Sequence, residues 1–119
     1  ALKYRLVIDE LEALTGQNFR VVHIIGGGSK NDLLNQFTAE ATGRLVLAGP
    51  EEASSIGNIL TQALALGQLK NRLEIRKAVR QSFDIKEFRP HSPEIWEKAL
   101  AEFKARLAEA RQQAGSLLP

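Results

Sequence analysis

The sequence contains no cysteine and no methionine, and aromatic side chains make up only 6% of its 119 residues. Without thiols there is no disulfide, no thiolate nucleophile and no cysteine-based zinc site, and a reducing cytosolic setting is permitted. No apolar run approaches the roughly 20 residues of a membrane-spanning helix, and the first residues lack the basic-then-apolar pattern of a signal peptide. Excess charge is scarce too. The 16 basic and 14 acidic side chains leave a net +2, too little for a long-range field to draw in nucleic acid or an anionic membrane. His23 and His91 stand far apart with no companion ligands, which gives a metal site little support. The expectation is a soluble, cytoplasmic protein with neither nucleic-acid nor membrane partners. A chain that opens at Ala1 without any methionine has either lost its initiator or been cut from something longer, and composition does not separate the two.

What is present is ordinary globular material, 44% apolar and 25% charged, in a length that fits one domain with its own core. Tyr4, Val7, Ile8, Leu11 and Leu14 recur at helical spacing up to Gly16, which supplies a stop. Arg20 to Ile25 is short and dense in β-branched residues, and reads as a buried strand. Three glycines follow, then a helix marked by Leu33, Leu34, Phe37 and Ala41, with Ser29 and Asp32 spaced as its capping box and Gly43 at its end. Leu45 to Ala48 reads as a second strand. Pro50 suits the first position of a third helix, with Glu51 and Glu52 at its positive end and Ala53, Ile56, Leu60, Ala63 and Leu64 turned inward. A shorter helix around Leu73 to Gln81, an extended piece from Phe83 to Arg89, and a last helix opened by Ser92-Pro93-Glu94 complete the domain, 1–111. Residues 112–119 read as a flexible tail.

The chemistry concentrates in one place. A strand that runs into Gly26-Gly27-Gly28 and then a helix lets a flat or bulky ligand come close to bare backbone, and free N–H groups at a helix start favour phosphate. Ser29 and Asn31 can donate or accept there, and Lys30 offers a mobile charge. On the pattern alone a plain tight turn is as good a reading. Two phosphate motifs are excluded: a P-loop needs Ser or Thr after Lys30, where Asn31 stands, and the dinucleotide fingerprint needs a glycine where Asn31 stands. His23, in the preceding strand, reads as packed or hydrogen-bonded more readily than as a ligand contact, and Trp96 as core. Gly57 inside a helix costs about 1 kcal/mol relative to alanine. Close helix packing is the first explanation and approach of a ligand the second.

The segment from Ile24 to Leu69, with GGGSKN, LLNQFTA, ATGR, AGPEEA and IGN, resembles the adenosine-binding end of the FGGY carbohydrate kinases, members of the actin-like ATPase superfamily. The likeness extends to Leu2–Gly16 before it and SFDIKEFRP after it. Relatives commonly have proline where Leu45 stands, a strand-edge change that leaves the fold in little doubt. The resemblance implies an α/β fold, part of the second actin-like (ribonuclease H-like) domain, with a short parallel strand pair surrounded by helices. It implies ATP/ADP with Mg2+ as cofactor in the complete kinase, with Gly27 and Gly28 under the adenosine, Asn31 reaching the nucleotide, and Gly26 and Ser29 as further contacts. The reaction would be phosphoryl transfer from ATP to a ketose hydroxyl.

The catalytic aspartate, the phosphate hairpin and the sugar contacts of such kinases lie upstream of anything here. The chain is therefore expected to be inactive alone and to have a missing amino-terminal kinase domain as its partner. An independent non-enzymatic module binding a nucleotide or a protein, and a structural remnant, are the alternatives. With two strands in view and both sheet edges open, a homodimer of the segment is also expected, the alternative being that the last helix folds back and covers the exposed face within one chain.

Overall fold

The computed structural model describes residues 1–115. Their order is helix α1 (Leu2–Thr15), strand β1 (Val21–Ile24), a 3₁₀ turn (Gly26–Lys30), helix α2 (Asp32–Thr42), strand β2 (Leu45–Ala48), helices α3 (Ala53–Ala65) and α4 (Arg72–Ser82), strand β3 (Lys86–Phe88) and helix α5 (Ile95–Gly115). This is the expected α/β arrangement, with β1 and β2 parallel and in register from Val21 opposite Leu45 to Ile24 opposite Ala48. The sheet has a third member. β3 pairs antiparallel with β2, Phe88 opposite Val46, so the piece expected only to be extended closes one edge that the sequence reading leaves open. Its three residues, Lys-Glu-Phe, are too few and too polar to announce a strand.

The core is small. Val46 and Ala48 of β2, Ala39 and Ala41 of α2, and Leu100 of α5 are buried. Helix α2 turns an unexpected face inward: Asn35, Thr38 and Thr42 are buried, while Leu33 is 65% exposed and Phe37 42%. Small polar side chains let the helix lie close to β2, and the buried hydroxyls return to the helix backbone, Thr38 Oγ1 to Leu34 O and Thr42 Oγ1 to Thr38 O, each at 2.7 Å. Phe37 is covered from the other side by Trp96, their ring centroids 5.3 Å apart and tilted by 58°. Through Trp96 and Leu100 the start of α5 packs on α2.

Long-range polar ties hold the layer. Arg44 donates to Phe19 O at 2.7 Å, Thr42 O at 2.7 Å and the Glu12 carboxylate at 2.8 Å, fastening α1 and the entry to β1 onto the end of α2. Phe19 N–H donates to the same carboxylate at 2.8 Å. Arg5 reaches Ala41 O at 3.0 Å. Glu40 accepts from the backbone of His91 and Ser92, which fixes the approach to α5.

Two helix starts differ from expectation. The cap of α2 is Asn31, whose side chain accepts from Leu34 N–H at 3.0 Å, because the 3₁₀ turn takes up Ser29 one step earlier. Helix α3 starts at Ala53, so Pro50, Glu51 and Glu52 precede it and do not form its first turn. The inward stripe of α3, from Ala53 to Leu64, is only half-buried. Helix α5 continues to Gly115, so the tail expected from Gln112 starts inside a helix, and 116–119 lie outside the described residues. The Cα radius of gyration is 18.5 Å, well above the roughly 13–14 Å of a compact domain this long. No described helix is long and apolar enough to cross a membrane.

Candidate functional site

Parallel strands end at the same edge of a sheet, and the loops that leave β1 and β2 therefore meet. In open α/β sheets such carboxyl-end crevices are where ligands bind. The two loops here are the Gly26–Lys30 turn and the stretch 49–52. They are stitched together: Gly49 N–H donates to Ile24 O at 2.8 Å and Gly26 N–H to Pro50 O at 3.2 Å. Lys30 forms an ion pair with Glu51 across them. Asp32, at the start of α2, pairs with Lys86 of β3 at 2.8 Å, which closes the third side.

The three glycines serve different ends. Gly26 has φ +75°, a left-handed conformation that side chains rarely adopt, so the turn itself requires it. A Cβ at Gly28 would meet Ile24 Cγ2 at 3.5 Å, an ordinary contact. Gly27 is constrained by neither: its φ is not left-handed, and beyond its own neighbouring backbone no described atom lies within 4 Å of where its Cβ would stand. Nothing in the described chain accounts for a glycine there, and the vacant position is on the open side of the turn.

Ser29 is 8% exposed and its Oγ donates to Gly26 O at 2.7 Å, so the hydroxyl holds the turn. Asn31 is exposed; its Oδ1 is engaged in the cap and its amide nitrogen makes no bond among the described residues. Sequence reading misses Asn35, wholly buried beneath the turn, whose Nδ2 donates to Ser29 O at 3.0 Å. The signal available was an amide four residues after Asn31, on the same helical face. His23 is exposed, in register with Leu47 across the sheet, and is not the packed histidine expected. Gly57 is not explained by helix packing, since nothing among the described residues lies within 4 Å of its Cβ position. Glu51, expected to serve the helix dipole, serves Lys30 instead. Among the described residues no His, Asp or Glu cluster is grouped to hold a metal ion.

A glycine turn with one open glycine, at the carboxyl edge of parallel strands and backed by a capped helix, places this chain among the α/β proteins with a strand–turn–helix unit at the sheet edge. Residues 1–66 match the model of the FGGY family of carbohydrate kinases, C-terminal domain. The chain belongs to the FGGY family of carbohydrate kinases, whose C-terminal domain has the actin-like ATPase fold. Within it the similarity is to rhamnulokinases: 43% identity over 104 residues to the rhamnulokinase of Bacteroides thetaiotaomicron, covering 87% of this chain and 21% of that protein. The rhamnulokinase of Bacillus subtilis is 48% identical over 90 residues, 76% of this chain and 19% of that protein. That of Klebsiella pneumoniae strain 342 is 44% identical over 104 residues, 87% of this chain and 21% of that protein. The chain thus spans about a fifth of the length of the curated relatives it matches.

Proposed function

We propose that this chain is the adenosine-side wall of an ATP-dependent sugar kinase, and that the complete enzyme phosphorylates L-rhamnulose. The observation that carries the reading is Gly27, a glycine that neither backbone conformation nor packing demands, set where a ligand would approach. Gly26 and Ser29 shape the turn, Gly27 and Gly28 face the adenosine, and Asn31 has an amide nitrogen left to donate to the nucleotide. ATP would bind here with magnesium entering on its phosphates. The chain positions the nucleotide, and the catalytic base and sugar contacts come from the amino-terminal domain. The setting is the cytoplasm, where ATP is available.

The exposed surface supports a larger partner. On α1, Tyr4, Val7, Leu11 and Leu14 are 46%, 40%, 44% and 83% exposed, and β1 has a free edge because the sheet order is β1-β2-β3. Apolar surface of this kind belongs under another body. That is the amino-terminal kinase domain in the complete enzyme, or a second copy when the chain stands alone. An independent module would have closed this face itself.

The test is Gly27→Val in the complete kinase. The Michaelis constant for ATP should rise at least tenfold while that for L-rhamnulose stays within about twofold, and the isolated chain should show no transfer. An unchanged ATP constant, or turnover by the isolated chain within the usual kinase range of about 1–100 per second, would overturn the reading.

A further inference from the structure

Asn35 is 0% exposed, yet only half of its amide is used. Nδ2 donates to Ser29 O at 3.0 Å, whereas Oδ1 is buried with no hydrogen-bond partner among the described residues. A buried acceptor without a donor costs stability, and an apolar side chain of the same shape would remove that cost. The single bond the amide makes has to account for its presence. That bond begins a sequence of contacts: Asn35 Nδ2 to Ser29 O, Ser29 Oγ to Gly26 O at 2.7 Å, and Gly26 N–H to Pro50 O at 3.2 Å. The 3₁₀ turn is thereby held at its Ser29 carbonyl, at its first carbonyl, and against the neighbouring loop.

Helix geometry explains why a side chain is needed. Asn35 N–H goes to Asn31 O at 2.9 Å and Asn31 caps α2, so the helix starts beyond Ser29 and gives the Ser29 carbonyl no backbone donor of its own. Asn35, one turn into α2, supplies it.

We propose that Asn35 is a positioning residue for nucleotide binding: by fixing the Ser29–Lys30 peptide from below, it holds the path of Gly26–Gly28 so that Gly27 presents its open side. The proposal rests on the kinase reading above and adds to it a residue that never touches the ligand. Losing the amide should loosen the turn and weaken nucleotide affinity with little net change in stability, since one unpaired buried acceptor replaces another.

The experiment uses the complete kinase with Asn35→Leu, Asn35→Asp and Gly27→Val, reading the Michaelis constants for ATP and sugar, kcat and thermal midpoint. Asn35→Leu should raise the ATP constant about tenfold, keep the sugar constant within about twofold, and shift the thermal midpoint little, because removing the orphaned Oδ1 offsets leaving Ser29 O without a donor. Asn35→Asp should share the ATP defect near neutral pH and recover toward the parent as pH falls. Burial raises the pKa of such a carboxyl, and its protonated form regains a donor for Ser29 O. An ATP constant unchanged in Asn35→Leu, an equal rise for sugar and ATP, failure to fold in Asn35→Leu, or an Asn35→Asp defect that ignores pH, each overturns the proposal. If Gly27→Val raises the ATP constant while the Asn35 variants do not, Asn35 is only a core residue. If Gly27→Val is also without effect, the placement of the nucleotide itself has failed.

Discussion

The layer of α1, α2, the sheet and the start of α5 is tied by side chains that reach across elements, whereas α3 and α4 are held by bonds within themselves. In the layer, Arg44, Arg5 and Glu40 each join segments far apart in sequence. In the helix pair the polar bonds are local: Thr61 Oγ1 to Gly57 O, Gln62 Nε2 to Asn58 Oδ1, and Asn71 capping Leu73 and Glu74. No residue of α3 or α4 is buried. The segment that carries the glycine turn is thus tied across its elements into one layer. The helix pair reads as surface that waits for another body, because its apolar stripe gains little without one.

The largest expected effect is that of Arg44→Ala. Removing three donors leaves Phe19 O and Thr42 O unpaired and strips Glu12 of its cation in a part-buried place, and the loss should be about 2–3 kcal/mol. Chemical denaturation measures it. A midpoint no different from the parent's would erase the contrast between the two regions.

Acid should separate them next. The Phe19 N–H and the Arg44 guanidinium hold the Glu12 carboxyl below the usual carboxylate range, and the Ser92 N–H does the same for Glu40, aided by Gln36 and His91. Both groups therefore have folded-state pKa values below their unfolded ones. Their stabilisation is fully present above the unfolded carboxylate pKa and is lost as pH falls through the folded value. Trp96 fluorescence, which reports the contact of α5 with Phe37, should change across that acid window. Glu12→Gln should flatten the dependence of stability on pH, and a variant as acid-sensitive as the parent would show that Glu12 is not one of the groups responsible.

Much of this was legible in the sequence for a physical reason: helices and strands of one period announce themselves, and glycine turns are chemically distinctive. Val21–Ile24, the glycine turn and Leu45–Ala48 were readable on those grounds. What was hidden depends on partners distant in the chain. Asn35 and Thr38 look like the polar side of an amphipathic helix, and only β2 lying against them makes them core. Ser29 reads as a cap until the 3₁₀ turn moves that duty to Asn31. Within the extended piece from Phe83 to Arg89, Lys86–Phe88 became a strand only because β2 offered an edge. Glu94 with Lys98 and Glu102 with Arg106 have the favourable helical spacing yet form no ion pair among the described residues, in keeping with the small gain of roughly 0.2–0.5 kcal/mol such exposed pairs offer.

The smallest effect belongs to the helix pair. Leu73 is 73% exposed, near the start of α4. In the isolated chain Leu73→Lys removes almost no buried surface and keeps a good helix former, so stability should move by less than about 0.5 kcal/mol. In the complete kinase the same change should cost more if this face is covered, because a lysine there would place its charge in an apolar contact. Thermal midpoints of the variant in both forms, each against its parent, test the point. A small shift alone and a larger one in the complete enzyme would show that α3 and α4 form docking surface. Equal small shifts would show that Leu73 faces solvent in both, and the contrast between a tied layer and a waiting helix pair would then have to rest on α3, where Ile56, Leu60 and Leu64 are half-buried already.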